Sequence, residues 1–169
     1  MGATLMFALC LDPGKLTGVC FFEQDEGNDP AIIDSLELNQ KDTYQYIEKI
    51  FTDYKNKELK VICEDFIISQ RTAQMKTSDT RFSLEIIGAV RYFCLKHKKP
   101  LVLQTPATMK KFFHTWSLKD FNMWTKGGEG HKRDAARHGV FYLLQSGKWD
   151  PPMNHTAKGD YENLERMFN

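Results

Sequence analysis

One stretch near the start of the chain constrains its fold more than any other: Ala8-Leu9-Cys10-Leu11-Asp12-Pro13-Gly14-Lys15-Leu16-Thr17-Gly18-Val19-Cys20-Phe21-Phe22. An apolar run closes on an aspartate, a Pro-Gly pair turns the chain, and a second apolar run follows. The apolar run length predicts a buried strand over residues 5–11. Pro13-Gly14 predicts a turn, and residues 16–22 then form the returning strand of a hairpin. Asp12 stands where the first strand ends, at the mouth of the sheet. A carboxylate after an apolar run is costly to bury without a partner. Aspartate ahead of proline also initiates turns, so this stretch alone leaves Asp12 open to either role.

Farther along, residues 23–30 are a polar turn, and Ala31–Leu38 alternates as a third strand. Tyr44, Ile47, Ile50, Phe51 and Tyr54 recur at helical spacing, predicting an amphipathic helix over residues 42–57 with Thr43 placed to cap it. Leu59–Cys63 is a short apolar fourth strand ending in Glu64-Asp65. Residues 69–79 are polar and predict an exposed loop. Arg81–Lys98 predicts a helix that is apolar around more than one face, so it is either a central core helix or packed on one side against a second copy. Pro100–Pro106 encloses a fifth strand, and Ala107–Phe113 a short helix. Residues 114–130 mix aromatic residues with lysines and run into Gly127-Gly128-Glu129-Gly130, which predicts a mobile loop. A helix over His131–Gln145 follows, and the remainder is polar, Pro-rich and then a short helix or frayed tail. Three meandering strands followed by alternating helix and strand imply an α/β fold: a five-stranded mixed sheet, its first three strands antiparallel, with helices on both faces.

The chain has 169 residues, which suits one domain with its own core, expected over residues 1–149, with 150–169 as a tail. No apolar run approaches the roughly 18 residues of a membrane span. The N-terminus lacks the layout of a signal peptide. Cys10, Cys20, Cys63 and Cys94 each sit in an apolar stretch and form no CxxC pair. The spacing therefore argues against zinc and redox motifs, and buried free thiols in a reducing, cytoplasmic compartment are expected. A net charge of +1 makes the chain no polycation, so any nucleic-acid footprint must come from local clustering.

The chemistry-bearing residues lie at the ends of elements. Asp12 ends the first strand and Glu64 the fourth, and strands one and four are neighbours in many sheets of this kind. His131 and Asp134 share a helix face at the start of the last long helix. Three converging carboxylates repel one another unless a divalent cation neutralises them. Oxygen donors with one imidazole suit Mg2+ or Mn2+. Two such ions about 3.5–4 Å apart form the clamp used in phosphodiester hydrolysis. Each residue has a plainer alternative: Glu64 as a solvated loop start, His131 as a cap neighbour, and Asp134 paired with Arg137 or Lys132.

The ordered set resembles the RuvC-like Holliday junction resolvases of the RNase H-like superfamily. The matching pieces are Leu11-Asp12-Pro13-Gly14 with Thr17-Gly18, Ile62-Cys63-Glu64, Ile87-Gly88-Ala89-Val90-Arg91, Thr105-Pro106 with Met109-Lys110-Lys111, and His131-Lys132-Arg133-Asp134-Ala135. The resemblance spans residues 5 to about 146. It implies a homodimeric endonuclease that cuts four-way DNA junctions with Mg2+. Asp12, Glu64 and Asp134 would be metal ligands, and His131 a ligand or proton shuttle. The helix over residues 81–98 would form the dimer interface. Phe66 stands one residue short of where cellular members carry an aromatic wedge, and this departure, with the aromatic segment 114–130, suggests a phage or mobile-element version. Other RNase H-like nucleases acting on flaps or branched DNA, and a non-catalytic junction-binding module, are the alternatives.

Basic residues flank the acidic set. Arg71 and Lys76 follow Glu64, while Lys110, Lys111, Lys119, Lys126, Lys132 and Arg133 lie between residues 110 and 133. Such a rim would gather phosphate. Trp116, Phe121 and Trp124 either stack on unpaired bases or form a hydrophobic lid over the sheet.

Overall fold

The computed structural model describes residues 5–25, 27–66, 78–113, 117–127, 130–149 and 151. The strands are β1 (Met6–Asp12), β2 (Thr17–Gln24), β3 (Ala31–Leu38), β4 (Glu58–Glu64) and β5 (Leu101–Gln104). The helices are α1 (Gln40–Asp53), α2 (Ser78–His97), α3 (Pro106–Phe112) and α4 (His131–Gln145). The sheet order is β3-β2-β1-β4-β5. β1–β2 and β2–β3 are antiparallel, and β1–β4 and β4–β5 are parallel. The predicted five-stranded mixed sheet is therefore present, with β4 beside β1.

β1 lies at the centre, and all its residues are buried. β3 is an edge strand and is only partly covered. Successive side chains on a strand point to opposite faces, and β1 sorts its apolar residues accordingly. Met6, Ala8 and Cys10 pack with Cys20, Phe22 and Ile62 beneath Ala135, Ala136 and Val140 of α4. Phe7, Leu9 and Leu11 pack on the other side with Val61 and Cys63, beneath Ile47, Ile50 and Phe51 of α1 and Ile86 and Val90 of α2. All four cysteines are buried free thiols, as expected.

Local corrections are few. α1 starts at Gln40 and is capped by Asn39, whose side chain accepts a hydrogen bond from the Asp42 backbone N–H at 3.0 Å. Thr43 is instead buried inside the first turn, its hydroxyl donating to the Asn39 carbonyl at 2.8 Å. The helix ends at Asp53, four residues before its expected end at residue 57. α2 begins at Ser78, inside the stretch expected to be loop. Leu118, Phe121 and Met123 are buried in the core on the α4 side, so Phe121 belongs to a lid. The expected loop around Arg71 and Lys76, Trp116, and most of the segment from residue 150 onward lie outside the described residues.

Candidate metal and nucleic-acid site

The register of the parallel strands lines up one polar row. Leu11 pairs with Cys63, so Asp12 and Glu64 are the next residues along on adjacent strands. Glu64 in turn pairs with Gln104. In-register residues of a parallel pair share a face. Asp12, Glu64 and Gln104 thus cross the C-terminal edge of the sheet on the side that carries α4.

Close backbone packing brings α4 to this row. Asp12 pairs with Gly18 across the hairpin. A Cβ on Gly18 would stand 2.0 Å from the His131 carbonyl oxygen. Only glycine lets the start of α4 lie so near β2. One helical turn further than Ala135, Gly139 sits where a Cβ would meet Phe22 Cε1 at 2.6 Å and Cys10 Sγ at 2.8 Å. The hairpin turn is tied from the other side, since the Ser83 hydroxyl of α2 donates to the Pro13 carbonyl at 2.8 Å. At its start, α4 is held by Glu37 of β3, whose Oε1 accepts from the Gly130 backbone N–H at 2.8 Å.

His131 Nδ1 lies 2.9 Å from Asp12 Oδ2. Burial pushes the Asp12 carboxyl up, and the Glu64 and Asp134 charges add to it; the His131 hydrogen bond and charge pull the other way, leaving a pKa of about 6. Burial of the His131 ring disfavours its cation, yet the hydrogen bond to Asp12 and the charges of Asp12, Glu37 and Asp134 outweigh this and raise its pKa. Asp12 rises because burial and two neighbouring carboxylates outweigh His131, and His131 rises because several acids face it. Glu64 Oε2 lies 3.0 Å from His138 Nε2, and His138 Nδ1 lies 2.8 Å from Gln104 Oε1. Asp134 is ion-paired to Arg137, as its plainer alternative anticipated. The Arg137 guanidinium also rests 5.7 Å from the centre of the Phe113 ring.

One open cleft of about 1000 Å³ holds Asp12, Glu64, His131 and Asp134 together, with Arg137 and His138 also on its wall. Phe66 and Lys110 also face it. Lys111, Lys119 and Lys132 do not line it. Lys119 lies over the Trp124 ring at 5.1 Å, with Arg133 at 4.9 Å from the same ring. Lys132 Nζ donates to the Lys126 carbonyl at 2.7 Å.

Sequence reasoning missed Lys15, His138 and Gln104, and it met Arg137 only as a partner for Asp134. A signal existed for His138: residues 131, 134 and 138 recur at helical spacing on one face. Gln104 was placed only by the strand register, which the sequence does not print.

The donor set suits a hard divalent cation: carboxylate oxygens with one imidazole, around a carboxyl that burial and two neighbouring carboxylates hold above its ordinary range. Among the described residues, however, no group of three His, Cys, Asp or Glu side chains stands ready to hold an ion. Each carboxylate has its own side-chain partner: one oxygen of Asp12 meets His131, one of Glu64 meets His138 and one of Asp134 meets Arg137.

No protein-family model matches the chain, and no curated protein matches it in sequence. Solved structures match it in fold. A structure of Thermus thermophilus RuvC in complex with a Holliday junction substrate superimposes with a TM-score of 0.61 at 11% identity, covering 86% of this chain and 99% of that one. A second Thermus thermophilus RuvC structure gives a TM-score of 0.61 at 13% identity, with the same coverage. The chain has the RuvC-like RNase H fold. The crystal structure of the yeast mitochondrial Holliday junction resolvase matches at a TM-score of 0.49 and 14% identity, over 82% of this chain and 76% of that one. In the RuvC-like fold found here, the acidic row lies across the C-terminal ends of β1 and β4, where a parallel pair opens onto the cleft. No helix among the described residues is long and apolar enough to cross a membrane.

Proposed function

We propose that this chain is a divalent-metal-dependent endonuclease that hydrolyses phosphodiester bonds in four-way DNA junctions and works as a homodimer. One observation carries this reading: Asp12 of β1, Glu64 of β4 and His131 and Asp134 of α4 line a single cleft. The fold neighbours support the substrate class, since one of them is RuvC bound to a Holliday junction substrate.

Asp12, Glu64 and Asp134 would hold Mg2+ or Mn2+, and two such ions would supply an activated water and stabilise the leaving oxygen. His131 orients the Asp12 carboxylate through Nδ1, which leaves its second ring nitrogen to ligate or to move a proton. Lys110, Lys15 and Arg137 place cations on the walls of the cleft and draw the phosphate backbone toward the carboxylates. Phe66, also on the wall, is the aromatic side chain placed to press against bases at a junction. Lys111, Lys119 and Lys132 act farther out as backbone contacts; Arg71 and Lys76, outside the described residues, are proposed DNA contacts from the sequence alone. Dimerisation runs through α2. Its inner side is buried at Ile86, Val90 and Cys94, while Leu84, Tyr92 and Leu95 are exposed, Leu95 at 81%.

The test is cleavage of a synthetic immobile four-way junction beside a linear duplex, a flap and an RNA–DNA hybrid, with and without Mg2+. Metal-dependent paired nicks in the junction alone are expected. Better cutting of the flap would keep the site and change the substrate. Tight junction binding without cutting of any substrate would make the chain a binding module. Sedimentation of the purified chain checks the dimer, and a strict monomer at micromolar concentration would remove α2 from the proposal.

A further inference from the structure

His138 has no part in the scheme above, yet it is the most deeply enclosed titratable side chain along the cleft, with 1% of its surface exposed. It connects three elements: α4 carries the ring, β4 supplies Glu64 and β5 supplies Gln104. Its two ring nitrogens are both engaged, Nε2 at 3.0 Å from Glu64 Oε2 and Nδ1 at 2.8 Å from the Gln104 amide. Gln104 is itself buried, and its Nε2 has no hydrogen-bond partner.

The donors can be worked out. An ionised carboxylate only accepts, so Nε2 must carry the proton in its bond to Glu64. If Nδ1 also carries a proton, it donates to Gln104 Oε1. If the ring is neutral, Nδ1 accepts instead, and turning the Gln104 amide end for end gives its Nε2 the partner it lacks. Amide nitrogen and oxygen are interchangeable in shape. In both arrangements Nε2–H donates to Glu64, and Gln104 sets the plane of the ring.

We propose that His138, through Nε2–H, fixes the Glu64 carboxylate in the orientation in which it receives a divalent cation. His138 is thus a positioning residue, and Gln104 supports it from β5. The inference rests on the nuclease reading of the cleft. Groups that hydrogen-bond to a metal's ligands typically govern affinity about 10–100-fold.

The experiment uses the isosteric logic of the two amides. A glutamine amide nitrogen falls near the place of histidine Nε2, and an asparagine amide nitrogen near Nδ1. His138→Gln therefore keeps the donor to Glu64, whereas His138→Asn keeps only the contact toward Gln104. Two readouts are taken on each full-length variant: the Mg2+ concentration for half-maximal junction cleavage, and the rise in thermal midpoint that Mg2+ produces over EDTA. His138→Asn is expected to raise the half-saturating Mg2+ by about tenfold or more and to abolish most of the Mg2+-induced rise. His138→Gln should stay within about threefold of the parent on the same scale. Equal losses in the two variants, or the reverse ranking, would show that the ring only fills space and would overturn the proposal. Gln104→Met guards against a failure of His138→Asn to fold: it leaves Glu64 and His138 in place and should raise the half-saturating Mg2+ by about fivefold. No change there would count against the proposal as well. If the parent protein neither cleaves nor gains thermal stability with Mg2+, the nuclease reading itself fails, and the role of His138 fails with it. A parent that responds normally while the variants do not separate defeats His138 alone.

Discussion

Leu11, Cys63 and Leu103 point to the side of the sheet covered by α1 and α2, whereas Asp12, Glu64 and Gln104, one residue further along the same strands, lie on the side that carries α4. On the first side the strands stay apolar to their ends. On the second, the apolar rows of Ala8, Cys10 and Phe22 are covered by Ala135, Ala136 and Val140, and then a polar row begins. The difference teaches how a small fold affords a cluster of acids at its rim. One side of each strand end is anchored in packed core, and the other is thereby held out toward a cleft.

The sharpest way to break this contrast is at Asp12. Asp12→Asn keeps the shape and removes the charge. Junction cleavage should fall by about a thousandfold or more, on the order of 4 kcal/mol in barrier, while binding of the junction persists. Unchanged cleavage would mean that the polar row is structural. The neighbouring residue should behave in the opposite way. Leu11→Ala is expected to cost about 2–5 kcal/mol of stability, read from the urea midpoint, with the cleavage rate per folded molecule little changed.

The two sides should also differ in their response to pH. Asp12 has a folded pKa of about 6 against an ordinary 3.8. Its contribution is fully present below the ordinary value and is lost as pH rises through about 6. His131 is raised as well, so its contribution is present below its ordinary value and is lost as pH rises through the higher folded one. Both run in one direction: the metal-free protein should lose stability between about pH 4 and pH 7, by at most about 3 kcal/mol for Asp12. Asp12→Asn should flatten that slope, and denaturant melts in EDTA across this range would show it. A slope that survives the substitution would place its origin elsewhere.

Smaller effects sharpen the comparison. Gly139→Ala pushes a methyl against Phe22 and Cys10 and should destabilise by about 1–3 kcal/mol. Lys110→Ala, on the cleft wall, should lower the salt dependence of junction binding by about one phosphate contact. Lys119→Ala, which sits over Trp124 away from the cleft, should change it less. Equal effects would extend the DNA path beyond the cleft.

Much of this was legible in the sequence because it depends on local rules. The Asp-Pro-Gly hairpin and the apolar run before Glu64 located β1, β2 and β4 with Asp12 and Glu64 at two of their ends, alternation located β3, the enclosing prolines β5, and helical spacing the shared face of His131 and Asp134. Boundaries moved where tertiary packing intervened, as when buried Thr43 ceded the cap of α1 to Asn39. Gln104 and His138 were hidden for a different reason. Their roles arise from the β4–β5 register and from the depth of α4 over the sheet, neither of which leaves a local trace. Arg137 was visible only as a counterion for Asp134, and its place on the wall of the cleft required the fold.

The hydrogen bond between Asp12 and His131 joins residues 119 positions apart, and this has a consequence in time. In a chain emerging from the ribosome, β1 to β4 and the helices α1 and α2 are all synthesised before α4. Asp12 and Glu64 then stand without His131, Asp134 or His138. The proposed metal site is therefore complete only once the last long helix has been made, although two of its carboxylates belong to strands synthesised long before.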